Sequence, residues 1–186
     1  KARDTQGTSI KAGGGSEERG FTAARHGGKI GEKTWYRGWG KYFNRDDFGL
    51  RGGGSNNDKW DLGHGGFRLD HELDDQTMVS VQGGGYGVRF NETTNVAVEG
   101  AHREFVIDRG HGRADGANAM ARVTRENVGK SGWSLQAYYD WTDRRQTALE
   151  VERNTANLDW RHHFRIGDRN ELLWGVGYRY TGDKSD

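Results

Sequence analysis

The feature that most constrains this chain is a strict alternation of apolar and polar residues over positions 133–143, W-S-L-Q-A-Y-Y-D-W-T-D. Successive side chains of a β-strand point to opposite sides, so this strand has an apolar side and a polar side. The apolar side carries aromatic residues towards both ends. A strand that crosses a bilayer at a tilt takes about 9–11 residues. The pattern therefore predicts a strand for which lipid is a candidate solvent.

The same period of two recurs along the whole chain. It predicts strands clearly at 117–126, 155–166 and 171–180, and more weakly at 8–15, 19–28, 34–43, 67–73 and 77–83. The segment 34–43 is ambiguous because Trp35 and Trp39 share a side with Arg37 and Lys41. Together with the first segment, about nine strands are predicted.

The composition fits a wall between lipid and water better than it fits a packed core. Of the 186 residues, 32% are hydrophobic and 30% are charged, and the mean hydropathy is -1.03. These values alone would indicate disorder, but 7 Trp, 7 Tyr and 7 Phe spaced periodically argue against it. A transmembrane β-barrel needs apolar side chains at only every second position. The net charge of +1 favours no nucleic-acid partner, and the absence of cysteine excludes disulfides and thiolate metal sites.

The connections between the predicted strands alternate between short and long. Short connections are predicted at 30–33, 74–76, 128–132 and 167–170, and long ones at 44–59, 91–116 and 144–154. Tight turns at one rim and long loops at the other are typical of a transmembrane barrel. We therefore predict an all-β fold over residues 1–186, an antiparallel transmembrane barrel region of about eight to ten strands that belongs to a larger barrel.

The two sides of the predicted strands have different roles in such a barrel. The candidates for lining the lumen are Arg68, Asp70, Arg122, Gln136, Asp140, Asp159, Arg161 and Arg179. The candidates for membrane-interface aromatics are Trp133, Trp141, Trp160, Trp174, Tyr178 and Tyr180. In a small soluble barrel the charged side would instead be the exterior, and periodicity alone does not separate the two arrangements.

The remaining motifs indicate no catalysis, cofactor or metal. Gly129-Lys130-Ser131 ends like a phosphate-binding loop, but Thr124 replaces the leading glycine, so a turn is the better interpretation. His102, Asp108 and His111 fall in the longest predicted loop, where a ligand could bind, although their spacing matches no metal template. Nothing resembles the motif around a hydrolase nucleophile.

Several phrases resemble the TonB-dependent outer-membrane receptors. A-R-D-T-Q-G at 2–7 and A-G-G-G-S-E-E-R-G-F at 12–21 are similar to the junction between plug and barrel and to the first hairpin. The similarity continues in G-G-K-I-G-E-K-T-W-Y-R at 27–37, K-Y-F-N-R-D-D-F at 41–48, G-G-F-R-L-D-H-E-L at 65–73, L-Q-A-Y-Y-D at 135–140 and W-G-V-G-Y-R-Y at 174–180.

The resemblance implies a piece of a receptor in the outer membrane of a Gram-negative bacterium. Such receptors have a plug and a 22-stranded barrel, and they import a scarce nutrient such as an iron–siderophore or a cobalamin-like ligand. The implied partners are the lipid bilayer, that small ligand, and TonB acting through a plug that this chain lacks. Two alternatives stay open: a stand-alone pore, natural or engineered, and a soluble ligand-binding β-sandwich.

Overall fold

The computed structural model describes residues 1–98, 104–127, 131–167 and 169–185. After a short 3-10 turn at Ala2–Thr5 (the N-terminal turn), the described residues form nine strands. They are β1 (Gly7–Gly13), β2 (Glu18–Ile30), β3 (Thr34–Arg45), β4 (Trp60–Glu72), β5 (Thr77–Val98), β6 (Glu104–Asn127), β7 (Ser131–Gln146), β8 (Leu149–Ile166) and β9 (Asn170–Ser185). The prediction of an all-β fold is confirmed. No helix in the described part is long and apolar enough to cross a membrane.

The strands form one antiparallel sheet in sequence order, β1 to β9. Each strand pairs with its chain neighbours, and the sheet is not closed in the part that the structure describes. Because neighbours are antiparallel and the strand number is odd, β1 and β9 run in the same direction. The free edges of the sheet are therefore parallel to each other.

Two of the three predicted long loops are wrong. The segment 91–116 consists mostly of the paired ends of β5 and β6, apart from residues 99–103, which lie outside the described residues. The segment 144–154 consists of the paired ends of β7 and β8, joined by a turn at Thr147 and Ala148. Only the connection between β3 and β4 is a long loop among the described residues.

The sheet has a polar face and an apolar face, which the strand register assigns. Directly paired residues point to the same side of a sheet. The polar face is the one that carries Arg68 and Asp70, and the apolar face is the one that carries Trp133 and Trp141. The N-terminal turn lies on the polar face, where the backbone N–H of Ala2 donates a hydrogen bond to Asp70.

Almost no apolar side chain is buried. Among the described residues, only Ala2 and Trp35 are buried apolar residues, and both lie where the N-terminal turn packs on the sheet. Many large side chains of the apolar face are exposed, from Ile10 at 74% to Leu135 at 38%. The fold thus has no second layer over its apolar face in the part of the chain that is described.

Candidate functional site

The eight residues predicted to line a lumen share the polar face. The register pairs Arg68 on β4 with Gln82 on β5, and Gln82 with Met120 on β6. Arg122 lies two residues after Met120 and therefore points to the same face. The register then links the remaining members across β6 to β9 through these direct pairs: Arg122–Gln136, Gln136–Asp159, Asn118–Asp140, Ser134–Arg161 and Asn157–Arg179. The alternation in the sequence predicted correctly that these side chains share one face. That face can present a charged, solvated surface.

The six predicted interface aromatics lie on the opposite, apolar face. Trp133, Trp160 and Trp174 form one row near the start of β7, the end of β8 and the start of β9. Trp160 and Trp174 meet edge to face with ring centroids 4.6 Å apart. Farther along the strands lies a second, broader row: Tyr180 is level with Tyr139, Trp141 lies one same-face pair beyond them, and Tyr178 lies one same-face pair before them.

Between the two aromatic rows lie aliphatic side chains that remain exposed. Leu135, Leu158 and Val176 are 38%, 51% and 65% exposed, and Ala137 lies beside Leu158 on the same face. Beyond the second row the outward positions become charged, as at Asp143 and Arg145. The apolar face is therefore a band with two borders.

Asp70 anchors the N-terminal turn to the polar face. Its side chain is 1% exposed and accepts hydrogen bonds from the backbone N–H of Ala2 (2.6 Å) and the hydroxyl of Ser80 (2.6 Å). Arg68 donates to the same carboxylate through Nε at 3.0 and 3.1 Å, and through Nη1 to Gln82 at 2.8 Å. A buried carboxylate requires such partners, because burying an unpaired charge is costly.

Further contacts surround the anchored turn. Arg3 lies over the ring of Trp35 at 5.5 Å, and Lys29 lies over the same ring at 5.4 Å. Arg3 also pairs with Glu72 at 3.4 Å. Sequence reasoning did not predict these contacts of the N-terminal turn. The sharing of one side by Trp35 and Arg37 was a signal that β3 carries an aromatic residue on its polar face.

The predicted ligand-binding loop is not a loop where it is described. Asp108 and His111 both lie in β6, on the polar and the apolar face respectively, and His102 lies outside the described residues. The Nδ1 atom of His111 is 2.9 Å from the amide oxygen of Asn91 on β5. Asp108 and His111 therefore do not converge on one ligand.

The described residues contain no group of three or more His, Cys, Asp or Glu that could hold a metal ion. A comparison with models of protein families finds no match, and a comparison with curated proteins finds none either.

Proposed function

We propose that this chain is part of the wall of a transmembrane β-barrel in the outer membrane of a Gram-negative bacterium. In this proposal the apolar face contacts lipid and the polar face lines the lumen. The observation that carries it is the exposed apolar band between two aromatic rows, on a sheet whose other face is charged. Barrel strands in lipid alternate in this way, with aromatic residues at both interfaces.

The dimensions of the band support the proposal. From Trp133 to Trp141, β7 rises about 27 Å at about 3.4 Å per residue. A strand tilt of about 40° reduces this to about 20 Å of height, close to the apolar band of about 25 Å in outer-membrane barrels. The strands continue past the band with charged residues on both faces, which suits water beyond the headgroups.

Two observations weigh against the alternatives. A soluble sandwich covers its apolar face with a second sheet, whereas nothing in the described part covers this one. A stand-alone pore must close its own sheet, and closing nine antiparallel strands on themselves would require a parallel pair of β1 and β9. The geometry favours strands supplied from outside the chain.

Within this class we propose a TonB-dependent receptor that imports a scarce nutrient, such as an iron–siderophore or a cobalamin-like ligand. The position of the N-terminal turn supports this part of the proposal. In the resemblance, residues 2–7 correspond to the junction between plug and barrel, and here the same residues enter the sheet from its polar face. A segment that precedes the turn would then lie on the lumen side.

Recording from planar bilayers tests the proposal against a passive pore. We expect the purified chain to fold only with detergent or lipid and to give no stable open channel, since β1 and β9 have no strand partner on their outer edges in the described sheet. A stable channel from this chain alone would contradict the larger barrel. A folded monomer in buffer without detergent would contradict the membrane location.

A further inference from the structure

The polar face of the β2–β3 hairpin is strongly basic, although the whole chain has a net charge of only +1. Its paired positions carry Arg25, Lys29, Arg37, Lys41 and Arg45, against the single acid Glu18. The Nε atoms of Arg25 and Arg37 are buried without a hydrogen-bond partner among the described residues. This surface therefore has more positive charge than the surrounding described residues neutralise.

Towards the β3–β4 loop, cations and aromatic rings alternate on this face in an aromatic–cation patch. The patch consists of Lys41, Phe43, Arg45, Trp60, Phe90 and Arg144. Lys41 lies 4.9 Å from the centroid of Phe43, and Arg45 lies 5.8 Å from Phe43 and 5.5 Å from Trp60. The rings of Phe43 and Trp60 meet edge to face at 4.9 Å.

The strand register fixes the order of this patch across the sheet. Arg45 pairs with Trp60, Trp60 pairs with Phe90, and Phe90 pairs with Gly112. The ring of Phe90 lies over Gly112, where a Cβ atom would clash with it. Arg144 then approaches the ring of Phe90 at 5.9 Å. Strand pairing fixes the backbone positions from which the rings and the cations project, which favours a preorganised binding surface.

The patch is open and its cations are only weakly paired. Arg45 is 46% exposed, and the one ion pair that it makes among the described residues, with Glu18, is 3.8 Å long. No carboxylate of the described residues lies within ion-pair distance of Lys41 or Arg144.

We propose that the aromatic–cation patch binds a small anionic ligand with a planar, conjugated body. The rings of Trp60 and Phe90 would contact that body, and Lys41, Arg45 and Arg144 would hold its negatively charged substituents. This inference rests on the proposed function, because it names the chemistry of the molecule that enters the lumen. It adds that the ligand needs both negative charge and an aromatic body in order to bind the patch.

A titration with naphthalene-1,3,6-trisulfonate, a fluorescent planar trianion, tests the inference with the full chain in uncharged detergent micelles. Citrate supplies the charge without the ring, and 2-naphthol supplies the ring without the charge. We expect both to bind at least about tenfold more weakly than the trisulfonate, because each lacks one class of contact. Equal binding by either compound, or no binding of the trisulfonate, would overturn the inference.

Substitutions locate the binding. Arg45→Gln and Lys41→Gln should each weaken trisulfonate binding about fivefold, and either one suffices if the other does not fold. Arg179→Gln is the matched control, since Arg179 lies on the polar face of β9 outside the patch; it should change binding by less than about twofold. An equal loss in Arg179→Gln would show unspecific attraction and contradict the site. Failure of the membrane proposal itself would appear separately, as folding without detergent.

Discussion

At the scale of single residues, Asp70 is a buried carboxylate that accepts hydrogen bonds from three other residues. It is 1% exposed and joins the N-terminal turn, Arg68 and Ser80 through hydrogen bonds of 2.6 to 3.1 Å. Alternation assigned it to the polar face, but only the fold brings Ala2 to it across the sheet. A contact between residues this far apart in sequence leaves no local pattern.

Replacing Asp70 by alanine should release the N-terminal turn. The change leaves Arg68 and the N–H of Ala2 without their acceptor, and breaking such a buried pair costs about 3 kcal/mol. Limited trypsin digestion should then cleave after Arg3 faster, and urea unfolding in micelles should show the loss of stability. Asp183→Ala is the control, because its pair with Arg153 is exposed and should contribute little. Unchanged cleavage in Asp70→Ala would contradict the junction.

Asp47 makes the β3–β4 loop sensitive to acid. A hydrogen bond from the Ser55 hydroxyl, followed by those from the backbone N–H groups of Lys59 and Asp58, holds the pKa of the Asp47 carboxyl below its ordinary value, against the opposing effect of desolvation. A lowered pKa means that the ionised form stabilises the loop. This stabilisation is complete above the ordinary pKa of about 3.9 and is lost as the pH falls through the lowered value.

Hydrogen exchange checks this dependence. The amides of Asp58 and Lys59 should stay protected at pH 6 and lose protection only on acidification below the ordinary pKa of an aspartate. Asp47→Ala should expose both amides already at pH 6. Protection that is the same in both proteins would exclude Asp47 as the loop's anchor.

At the scale of strands, the alternation of apolar and polar residues predicted the strand segments well only where one face of the sheet is proposed to contact lipid and the other water. All nine strands were predicted, but the outer ends of β5 to β8 were predicted as loops. At those ends both faces are polar: Asp143 and Arg145 point one way, Arg144 and Gln146 the other. Where both faces carry polar residues, the period of two disappears from the sequence, while the backbone hydrogen bonds between the strands continue.

Aromatic rings packed on glycines of the neighbouring strand are a recurring device of this sheet. The directly paired examples are Phe21–Gly13, Tyr36–Gly28, Phe67–Gly83, Tyr86–Gly116 and Phe90–Gly112. The missing side chain leaves room for the ring, which covers the glycine backbone.

Gly83→Ala should therefore destabilise the sheet. The new Cβ would lie 3.1 Å from Cε1 of Phe67 and 2.9 Å from the backbone oxygen of Asn118. Such overpacking costs about 1–3 kcal/mol, measurable by urea unfolding in micelles. Gly38→Ala is the matched control, because no atom lies within 4 Å of its new Cβ. Equal stability of the two variants would contradict the role of the Phe67–Gly83 pair.

At the scale of the whole molecule, the main feature is that the described sheet has two free edges, at β1 and β9. β1 and β9 run in the same direction, so an odd number of additional strands is needed to close the sheet with antiparallel pairs throughout. The resulting even total is the rule for bacterial outer-membrane barrels. The sequence predicted the number of strands but not closure, because closure depends on partners for β1 and β9.

The central claim is that the apolar face contacts lipid, and neighbouring positions on β7 test it most directly. The chain has no cysteine, so Ala137→Cys and Gln136→Cys each provide one site for a nitroxide spin label, on the apolar and polar faces respectively. In lipid bicelles, the label at 137 should be relaxed mainly by oxygen, which concentrates in lipid, and the label at 136 mainly by a water-soluble nickel complex. Equal access of the nickel complex to both labels would contradict the account.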